Sequence, residues 1–299
     1  MKVYWLEQTE ADLPNGGAGV PRVDSPGQDG GDTRPELEWL GAKERVQLSA
    51  MRFAKRRADW QLGRWTAKHA VAACLQMPAD LPNLARIEVR PAPSGAPEIF
   101  IGNKSAPVTI SFSHRAGRAV CAVATYGAAL GCDLEVIETR SDAFVADYFA
   151  TEEQALVARA APADWPWLVT LLWSAKESAL KALRAGLRLD TRCVIVTLVD
   201  VLRSQYAEGE ACVPEEYIKN PGFAARQPDA LSGWRPLRVR HINGQTFLGW
   251  WQHTENLLRT IVAAPPPARP LLLNVSVSSG GQSLIKGGHA NADRQSFGA

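Results

Sequence analysis

The pattern of apolar and polar positions predicts a first half of the chain that mixes helix and strand. Apolar residues recur every three or four positions over residues 36–77, which is typical of a helix. Two stretches, 11–35 and much later 203–230, lack periodicity and are expected to be irregular. Alternating apolar residues predict strands in the first half at 3–5, 86–90, 107–113 and 119–126.

The second half follows the same order of helices and strands. It begins with a strand pattern at 129–136. Helices are predicted at 143–149, 151–160 and 168–185, and Thr151 is expected to act as the N-cap of the second of them. Four strand-like runs come after them, at 193–199, 237–241, 246–252 and 257–262. We therefore expect an α+β fold of two similar halves, although no clear internal repeat is evident in the sequence.

The two halves are expected to divide close to Gly127. The N-terminal half would comprise residues 1–126, and the C-terminal half, residues 127–265, would carry the candidate chemistry. A hairpin through Tyr126 and Gly127 is expected to join the strands on either side. The region 266–299 follows a run of prolines and becomes rich in Gly, Ser, Asn and Gln, so it is predicted to be a disordered tail.

The composition excludes some classes of function. The 299 residues include 33 basic and 31 acidic ones, and this net charge of +2 argues against a protein that binds nucleic acid over its whole surface, although not against a local basic patch. Five cysteines, none in a C-x-x-C pair, indicate reduced thiols and a cytoplasmic protein. No signal-peptide pattern is evident, and no apolar run reaches membrane-spanning length, so no membrane partner is expected.

Two carboxylates share one face of the strand predicted at 129–136. Alternate residues of a strand point the same way, so Asp133 and Glu135 project together while Leu134 faces the apolar side. Neighbouring carboxylates repel each other, and a hard divalent cation such as Mg²⁺ removes that cost. A solvent-exposed edge strand would show the same short pattern, so this motif alone does not decide between the two.

A third carboxylate lies on the strongest predicted helix. Trp173, Glu177 and Lys181 are spaced by four and therefore share one face, with Lys176 beside them. A glutamate flanked by lysines can bind a metal while the lysines bind phosphate. The alternative is an ordinary exposed ion pair between Glu177 and Lys181.

A polar cluster ends the strand predicted at 107–113. Ser113, His114 and Arg115 together could bind a phosphate group there. A serine nucleophile activated by the adjacent histidine is less well supported, because the G-x-S-x-G elbow is absent.

Taken in order, these three motifs resemble the signature of the phosphopantetheinyl transferase superfamily, in its larger, pseudo-dimeric type. Further similarity is found in the helical segment 52–64, in the loop Ser94-Gly95-Ala96-Pro97 and in the segment 186–189. The similar region runs roughly from Trp39 to Val196. The resemblance implies two α+β halves related by a pseudo-twofold axis, with coenzyme A in the cleft between them.

The resemblance also implies a metal site and a catalytic role for the helix. Asp133, Glu135 and Glu177 would hold Mg²⁺ or Mn²⁺ together with the pyrophosphate of coenzyme A. Glu177 is also the candidate for accepting the proton of the attacking serine, directly or through water. Whether Glu177 acts as base, as metal ligand or as both is left open by the sequence.

Other residues would contact the coenzyme. The resemblance implies that Lys176 and Lys181 approach the phosphates, and Lys181 is counted among the catalytic residues. Ser113 and His114 would contact the nucleotide, His114 at its 3′-phosphate.

One position departs from the family pattern. A Gly-Lys-Pro sequence is common in the family where this chain has Ala96 between Gly95 and Pro97. A positive charge near the nucleotide is therefore missing, and Arg90, Arg56 and Arg57 are the candidates to replace it.

The implied reaction transfers the phosphopantetheine arm of coenzyme A to a serine of an apo carrier protein, acyl or peptidyl. Such a step serves fatty acid, polyketide or nonribosomal peptide synthesis, and a monomer is expected. The alternatives are a metal-dependent nuclease, which uses similar carboxylate spacing, and a non-catalytic module that binds carrier proteins. The near-neutral charge argues against the first, and the presence of all three carboxylates argues against the second.

Overall fold

Two mainly antiparallel sheets, each covered by one long helix, form most of the protein. The computed structural model describes residues 1–14, 37–198 and 233–273. The helices are α1 (Ala42–Ser49), α2 (Ala54–Cys74), α3 (Leu81–Arg86), α4 (Asp142–Tyr148), α5 (Thr151–Arg159) and α6 (Trp165–Ala182). The strands are β1 (Val3–Thr9), β2 (Ile87–Pro91), β3 (Pro97–Ile101), β4 (Lys104–Ser105), β5 (Val108–Arg115), β6 (Arg118–Thr125), β7 (Ala129–Val136), β8 (Val194–Leu198), β9 (Arg235–His241), β10 (Thr246–Thr254), β11 (Leu257–Ala264) and β12 (Leu271–Leu272).

The layers follow from the alternation of side chains along the strands. One sheet has the order β12-β1-β6-β5 and packs on α2; the other has the order β7-β11-β10-β9-β8 and packs on α6. In β6, Cys121 and Val123 face the α2 side, whereas Val120 and Ala122 face the second sheet. The two sheets thus share an apolar core, and a small sheet, β2-β3-β4, lies beside the first.

The predicted hairpin between β6 and β7 is wrong. β6 pairs with β5 on one side, through a turn at Ala116 and Gly117, and with β1 on the other. β7 instead pairs antiparallel with β11 in the second sheet, with Asp133 opposite Thr260. The turn at Gly127 therefore takes the chain from the first sheet to the second. β6 buries its two faces as part of the first sheet, and β7 buries its two faces as part of the second.

Two helix predictions also change. Residues 36–77 do not form one helix: α1 ends at Ser49 and α2 begins at Ala54, because Phe53 takes extended backbone angles (φ −95°, ψ 126°). In α5 the N-cap is Ala150 rather than Thr151. The backbone amide of Ala150 donates a hydrogen bond of 2.9 Å to Oε2 of Glu153. Pattern reading also missed α3, a helix of six residues.

Ordered structure extends beyond the prolines at 265–267. β12 pairs in parallel with β1, and Leu273 N donates to Trp5 O at 2.8 Å. The start of the predicted tail is thus part of the first sheet; its remainder, 274–299, and the predicted irregular stretch 203–230 lie outside the described residues. Within the described ranges, no helix combines the length and apolarity that a membrane span requires.

A buried lysine–glutamate pair anchors the long helix of the first half. Lys68 of α2 is fully buried, and its Nζ lies 2.5 Å from Glu44 Oε2 of α1. The same ammonium donates to the carbonyl oxygens of Trp39 and Leu84, and Glu44 accepts from the amide of Val89. A buried charge is tolerated only when it is fully paired in this way.

The second half contains a matching pair. Lys176 of α6 is fully buried, 2.6 Å from Glu153 of α5, and donates to the carbonyl oxygens of Thr191 and Val194. Glu153 accepts from the amide of Val196. The two lysines end related segments, Trp65-Thr66-Ala67-Lys68 and Trp173-Ser174-Ala175-Lys176. This is an internal repeat that pattern reading overlooked.

Candidate active site

The two strand carboxylates point away from the core between the sheets. In β7, Leu130, Cys132 and Leu134 pack into that core, so the alternation turns Asp133 and Glu135 toward the α6 side. The spacing predicted this shared face. Asp133 is only 4% exposed, so its charge requires nearby compensation.

Helix α6 lies unusually close to β7 and β11. A Cβ atom added to Gly131 would lie 1.7 Å from the carbonyl oxygen of Ser178. Thr260 of β11 is bonded to the hydroxyls of Ser174 (2.9 Å) and Ser178 (2.7 Å). A glycine on one strand and small hydroxyl residues on the helix thus allow the contact that brings Glu177 beside the strand carboxylates.

Asp133 has one satisfied oxygen and one free one. Its Oδ1 accepts hydrogen bonds from Ser113 Oγ and Lys181 Nζ, each at 2.8 Å. Lys181 also donates to the carbonyl oxygen of Cys132 at 2.9 Å. The Oδ2 atom is buried and has no hydrogen-bond partner among the described residues, so it is available to a ligand.

Glu135 likewise has one oxygen that accepts a hydrogen bond and one that does not. Its Oε1 accepts from Trp173 Nε1 at 3.2 Å, and the indole is oriented by an edge contact with Phe144. Its Oε2 lies 3.5 Å from Arg115 and 3.8 Å from Arg140 but has no hydrogen-bond partner among the described residues. Two buried carboxylate oxygens thus remain available on one side of β7.

Glu177, the third carboxylate, lies close enough to Asp133 and Glu135 for their charges to shift its pKa. Burial, together with the negative charges of Asp133 and then Glu135, raises the pKa of Glu177 to about 7, against the opposing effect of Lys181. Burial and Asp133 likewise raise the pKa of Glu135. For Lys181, burial by itself lowers the pKa, but Asp133 and the other nearby negative groups outweigh it and the net shift is upward.

These observations fit a divalent cation. Hard oxygen donors with free lone pairs suit Mg²⁺, and a cation would relieve the repulsion that raises the pKa values of Glu135 and Glu177. In the part of the chain that the structure describes, no group of three or more His, Cys, Asp or Glu side chains is already arranged around a metal position. Closing the site around a cation would therefore require side-chain movement.

The polar end of β5 joins this cluster. The Ser113 hydroxyl donates a hydrogen bond to Oδ1 of Asp133. Partial burial of the imidazole and the positive charge of Lys181 lower the pKa of His114, while Asp59 of α2 opposes this shift. The structure therefore brings together six predicted site residues, namely Ser113, His114, Asp133, Glu135, Glu177 and Lys181.

Lys176 is not part of this cluster. Lys176 is enclosed by Glu153 and two backbone carbonyls inside the second half, which leaves its ammonium no free donor toward a phosphate. Its neighbour Glu177 points to the site because consecutive helical residues face different directions. Arg57 lies half-buried in the first turn of α2.

Arg90 is engaged elsewhere. On β2 it forms an ion pair with Glu88 at 2.7 Å and donates to Asn103 Oδ1 at 2.7 Å. Its guanidinium also stacks over the Phe100 ring, 4.2 Å from the ring centre. These contacts hold the side chain on the small sheet, so the structure gives no support to a role in replacing the charge missing at Ala96.

A cleft of about 610 Å³ extends from Lys181 to the loop 94–97. Sequence reasoning missed Arg184 and Arg188 in its wall, and also Arg140 beside Glu135, because isolated arginines carry no spacing signal. Arg115, which it had grouped with Ser113 and His114, also lies beside Glu135. The cleft is lined by Ser94, Gly95, Ala96, Pro97, Thr109, Ile110, Ser111, Phe112, Leu130, Lys181, Arg184, Ala185, Gly186 and Arg188.

Comparison with known families is consistent with this geometry. Residues 129–214 match the model of the 4′-phosphopantetheinyl transferase superfamily. The matched range contains Asp133, Glu135, Glu177 and Lys181, and it runs past β8 into residues outside the described ranges. A search of curated proteins gives no significant match.

The superfamily match supports a transferase of the phosphopantetheinyl kind. Enzymes of this superfamily use coenzyme A as substrate and typically a divalent metal. The mixed α+β architecture with several sheets is compatible with their fold. Ser113 and His114, by contrast, precede the matched range and are tied to it through the bond between Ser113 and Asp133.

Proposed function

We propose that the protein transfers the 4′-phosphopantetheine arm of coenzyme A to a serine of an apo carrier protein. The products would be a holo carrier protein, acyl or peptidyl, and adenosine 3′,5′-bisphosphate. The observation that carries this proposal is the Lys181–Asp133 ion pair of 2.8 Å beside Glu135 and Glu177, within the region that matches the superfamily.

The protein's own residues would act at two atoms. The serine oxygen attacks the β-phosphorus of coenzyme A, and the bond from that phosphorus to the bridging oxygen breaks. Glu177 accepts the serine proton, directly or through water, in its ionised form. Lys181 stabilises the negative charge that develops on the leaving nucleotide.

Metal binding would share the same carboxylates. Asp133, Glu135 and Glu177 would hold Mg²⁺ or Mn²⁺, which when bound neutralises charge on the pyrophosphate. Both roles of Glu177, base and ligand, require its ionised form.

The arrangement of the halves is part of the proposal. We infer that residues 1–126 and 127–265 are related by a pseudo-twofold axis and that coenzyme A lies between them. The matching pairs Lys68–Glu44 and Lys176–Glu153 support this, as do the W-[ST]-A-K segments that carry the lysines. Glu177 follows the lysine of the second segment, whereas His69 follows the lysine of the first. The helix carboxylate of the candidate site is therefore not repeated in the first half.

The expected setting is a cytoplasmic monomer acting in fatty acid, polyketide or nonribosomal peptide synthesis. A metal-dependent nuclease is less well supported, because the family match is to transferases. The test is incubation with apo carrier protein, coenzyme A and Mg²⁺, followed by mass spectrometry of the carrier. We expect the added mass of phosphopantetheine; an unchanged carrier mass with several acyl and peptidyl carriers would refute the proposal.

A further inference from the structure

A largely buried ion pair joins the two sheets directly. Glu7 of β1 and Arg259 of β11 lie 252 residues apart in the chain, and their side chains are only 12% and 6% exposed. Arg259 Nη2 donates to Glu7 Oε1 at 2.7 Å, and Arg259 Nε donates to Glu7 Oε2. Both carboxylate oxygens thus accept from one guanidinium, and this two-bond geometry fixes the direction of the contact as well as its distance.

Each member of the pair also has a contact within its own sheet. Arg259 Nη1 donates to Thr254 Oγ1 of β10 at 2.8 Å. Arg118 of β6 lies 3.1 Å from Glu7 Oε1, but its side chain is 40% exposed, so its contact is expected to be weak. The guanidinium of Arg259 is thus fixed at one end to the second sheet and at the other end to β1 of the first.

The pair is aligned with the candidate site along the strand register. In the first sheet, Glu7 is opposite Val120 of β6, and Val120 is opposite Ser113 of β5. In the second sheet, Arg259 is opposite Leu134, the residue of β7 that lies between the two strand carboxylates. A rotation of one sheet against the other at the ion pair would therefore displace Ser113 relative to those carboxylates.

The bond between Ser113 and Asp133 depends on that placement. It joins the first sheet to the second at 2.8 Å, on the same Oδ1 atom that accepts from Lys181. The apolar core between the sheets holds them together, but hydrophobic contact is non-directional and does not fix their rotation. A hydrogen bond of this length is lost within about 1 Å of movement, so it requires a directional contact elsewhere between the sheets.

We propose that Glu7 and Arg259 are positioning residues, which keep Ser113 of the first sheet at Asp133 of the second and leave Oδ2 of Asp133 free for a ligand. The effect on transfer rests on the proposed function, whereas the positioning itself does not. A buried ion pair adds little stability over an apolar pair of similar volume. The contribution of this pair is therefore to orientation, and stability and activity should respond differently to its removal.

The first test replaces the pair by apolar side chains of similar volume. Glu7→Leu/Arg259→Met should unfold at about the temperature of the parent protein, because no buried charge is left unpaired. Its kcat should nevertheless fall by about tenfold or more, because the site is misplaced. KM for coenzyme A should change less than about twofold, since neither residue lines the cleft.

Two further variants separate charge from geometry. Arg259→Lys keeps the charge but replaces the planar fork by a single ammonium, so it should also lower kcat while KM stays unchanged. This variant decides the question if the double variant does not fold. The matched control is Arg118→Met, which removes the exposed cation beside Glu7 but leaves the two-bond pair, and it should keep the parental kcat.

Urea denaturation gives a readout that does not depend on activity. Ser113→Ala should destabilise the parent protein, and about half or more of that loss should disappear in the Glu7→Leu/Arg259→Met background. Parental kcat in both pair variants, or an equal loss from Ser113→Ala in the two backgrounds, would overturn the inference. A parent protein that transfers nothing would instead refute the proposed function, and the urea comparison would still decide the positioning role.

Discussion

The Nζ atom of Lys181 lies 2.8 Å from Oδ1 of Asp133, so the last turn of α6 is joined directly to β7. Lys181→Met should lower kcat/KM by about a hundredfold or more, because it removes a cation that acts on the leaving phosphate. A surface ion pair would contribute under about 1 kcal/mol to stability and nothing to activity. The measurement is the transfer rate, with circular dichroism to verify folding.

The matched control for this variant is Lys43→Met, an exposed lysine on α1. It should keep full activity. A well-folded Lys181→Met protein that is also fully active would reduce α6 to a helix with surface charges.

The strand carboxylates should be indispensable for activity. Asp133→Asn or Glu135→Gln keeps the shape of the side chain but removes a charge, and should lower transfer by about a hundredfold or more. The control is Glu138→Gln, because Glu138 is a half-exposed neighbour that pairs with Arg115 and Arg140. Transfer rates over a range of Mg²⁺ concentrations test this, and near-parental rates at low Mg²⁺ would contradict the metal assignment.

The close approach of α6 to β7 should not tolerate a side chain at Gly131. Gly131→Ala would place a Cβ atom 1.7 Å from Ser178 O, so we expect a loss of about 3 kcal/mol or more in the free energy of unfolding. Gly102→Ala is the control, since no atom lies within 4 Å of its added Cβ and only a left-handed backbone is strained. Urea denaturation compares the two, and equal losses would show that the approach is less tight.

Coenzyme A should stabilise the folded protein. A ligand that binds only the folded state adds about 2.7 kcal/mol at a hundredfold excess over its dissociation constant. Thermal unfolding with and without coenzyme A and Mg²⁺ should therefore show a clear rise in Tm. No shift at saturating ligand would argue against a nucleotide site and favour the carrier-binding module.

The buried His69 should make stability depend on pH. Burial lowers its pKa from 6.5 to about 4, although its bond to the Trp65 carbonyl and the charge of Asp12 oppose the shift and Lys68 adds to it. The unfolded chain therefore binds a proton below about pH 6.5 that the folded protein refuses until about pH 4. Stability from this group is present above pH 6.5 and is lost as the pH falls, by about 2 kcal/mol at pH 5.

Urea denaturation at pH 7 and pH 5 measures this dependence. His69→Gln, which does not titrate, should lose much less stability between the two values than the parent protein. An identical loss in both proteins would assign the pH dependence to other groups.

Local patterns were sufficient to predict most of the individual elements and how the candidate site residues are placed on them. Strand alternation predicted the shared face of Asp133 and Glu135, and helical spacing predicted that Glu177 and Lys181 lie on one face of α6. Both predictions depend only on the period of an isolated element, which neighbouring layers do not alter. The ordered motifs were likewise enough to indicate the superfamily that the match at 129–214 supports.

Long-range contacts decided the rest. The pairing of β7 with β11 depends on which layer can cover each face, and the burial of Lys176 depends on Glu153, 23 residues earlier in the chain. Arg184 and Arg188 line the same cleft as Ala96 only because folding brings these distant parts of the chain together. The sequence by itself determined the periodic elements and the carboxylate motif, whereas the tertiary structure decided which charges face one another, because electrostatic partners depend on distance in space and not on separation along the chain.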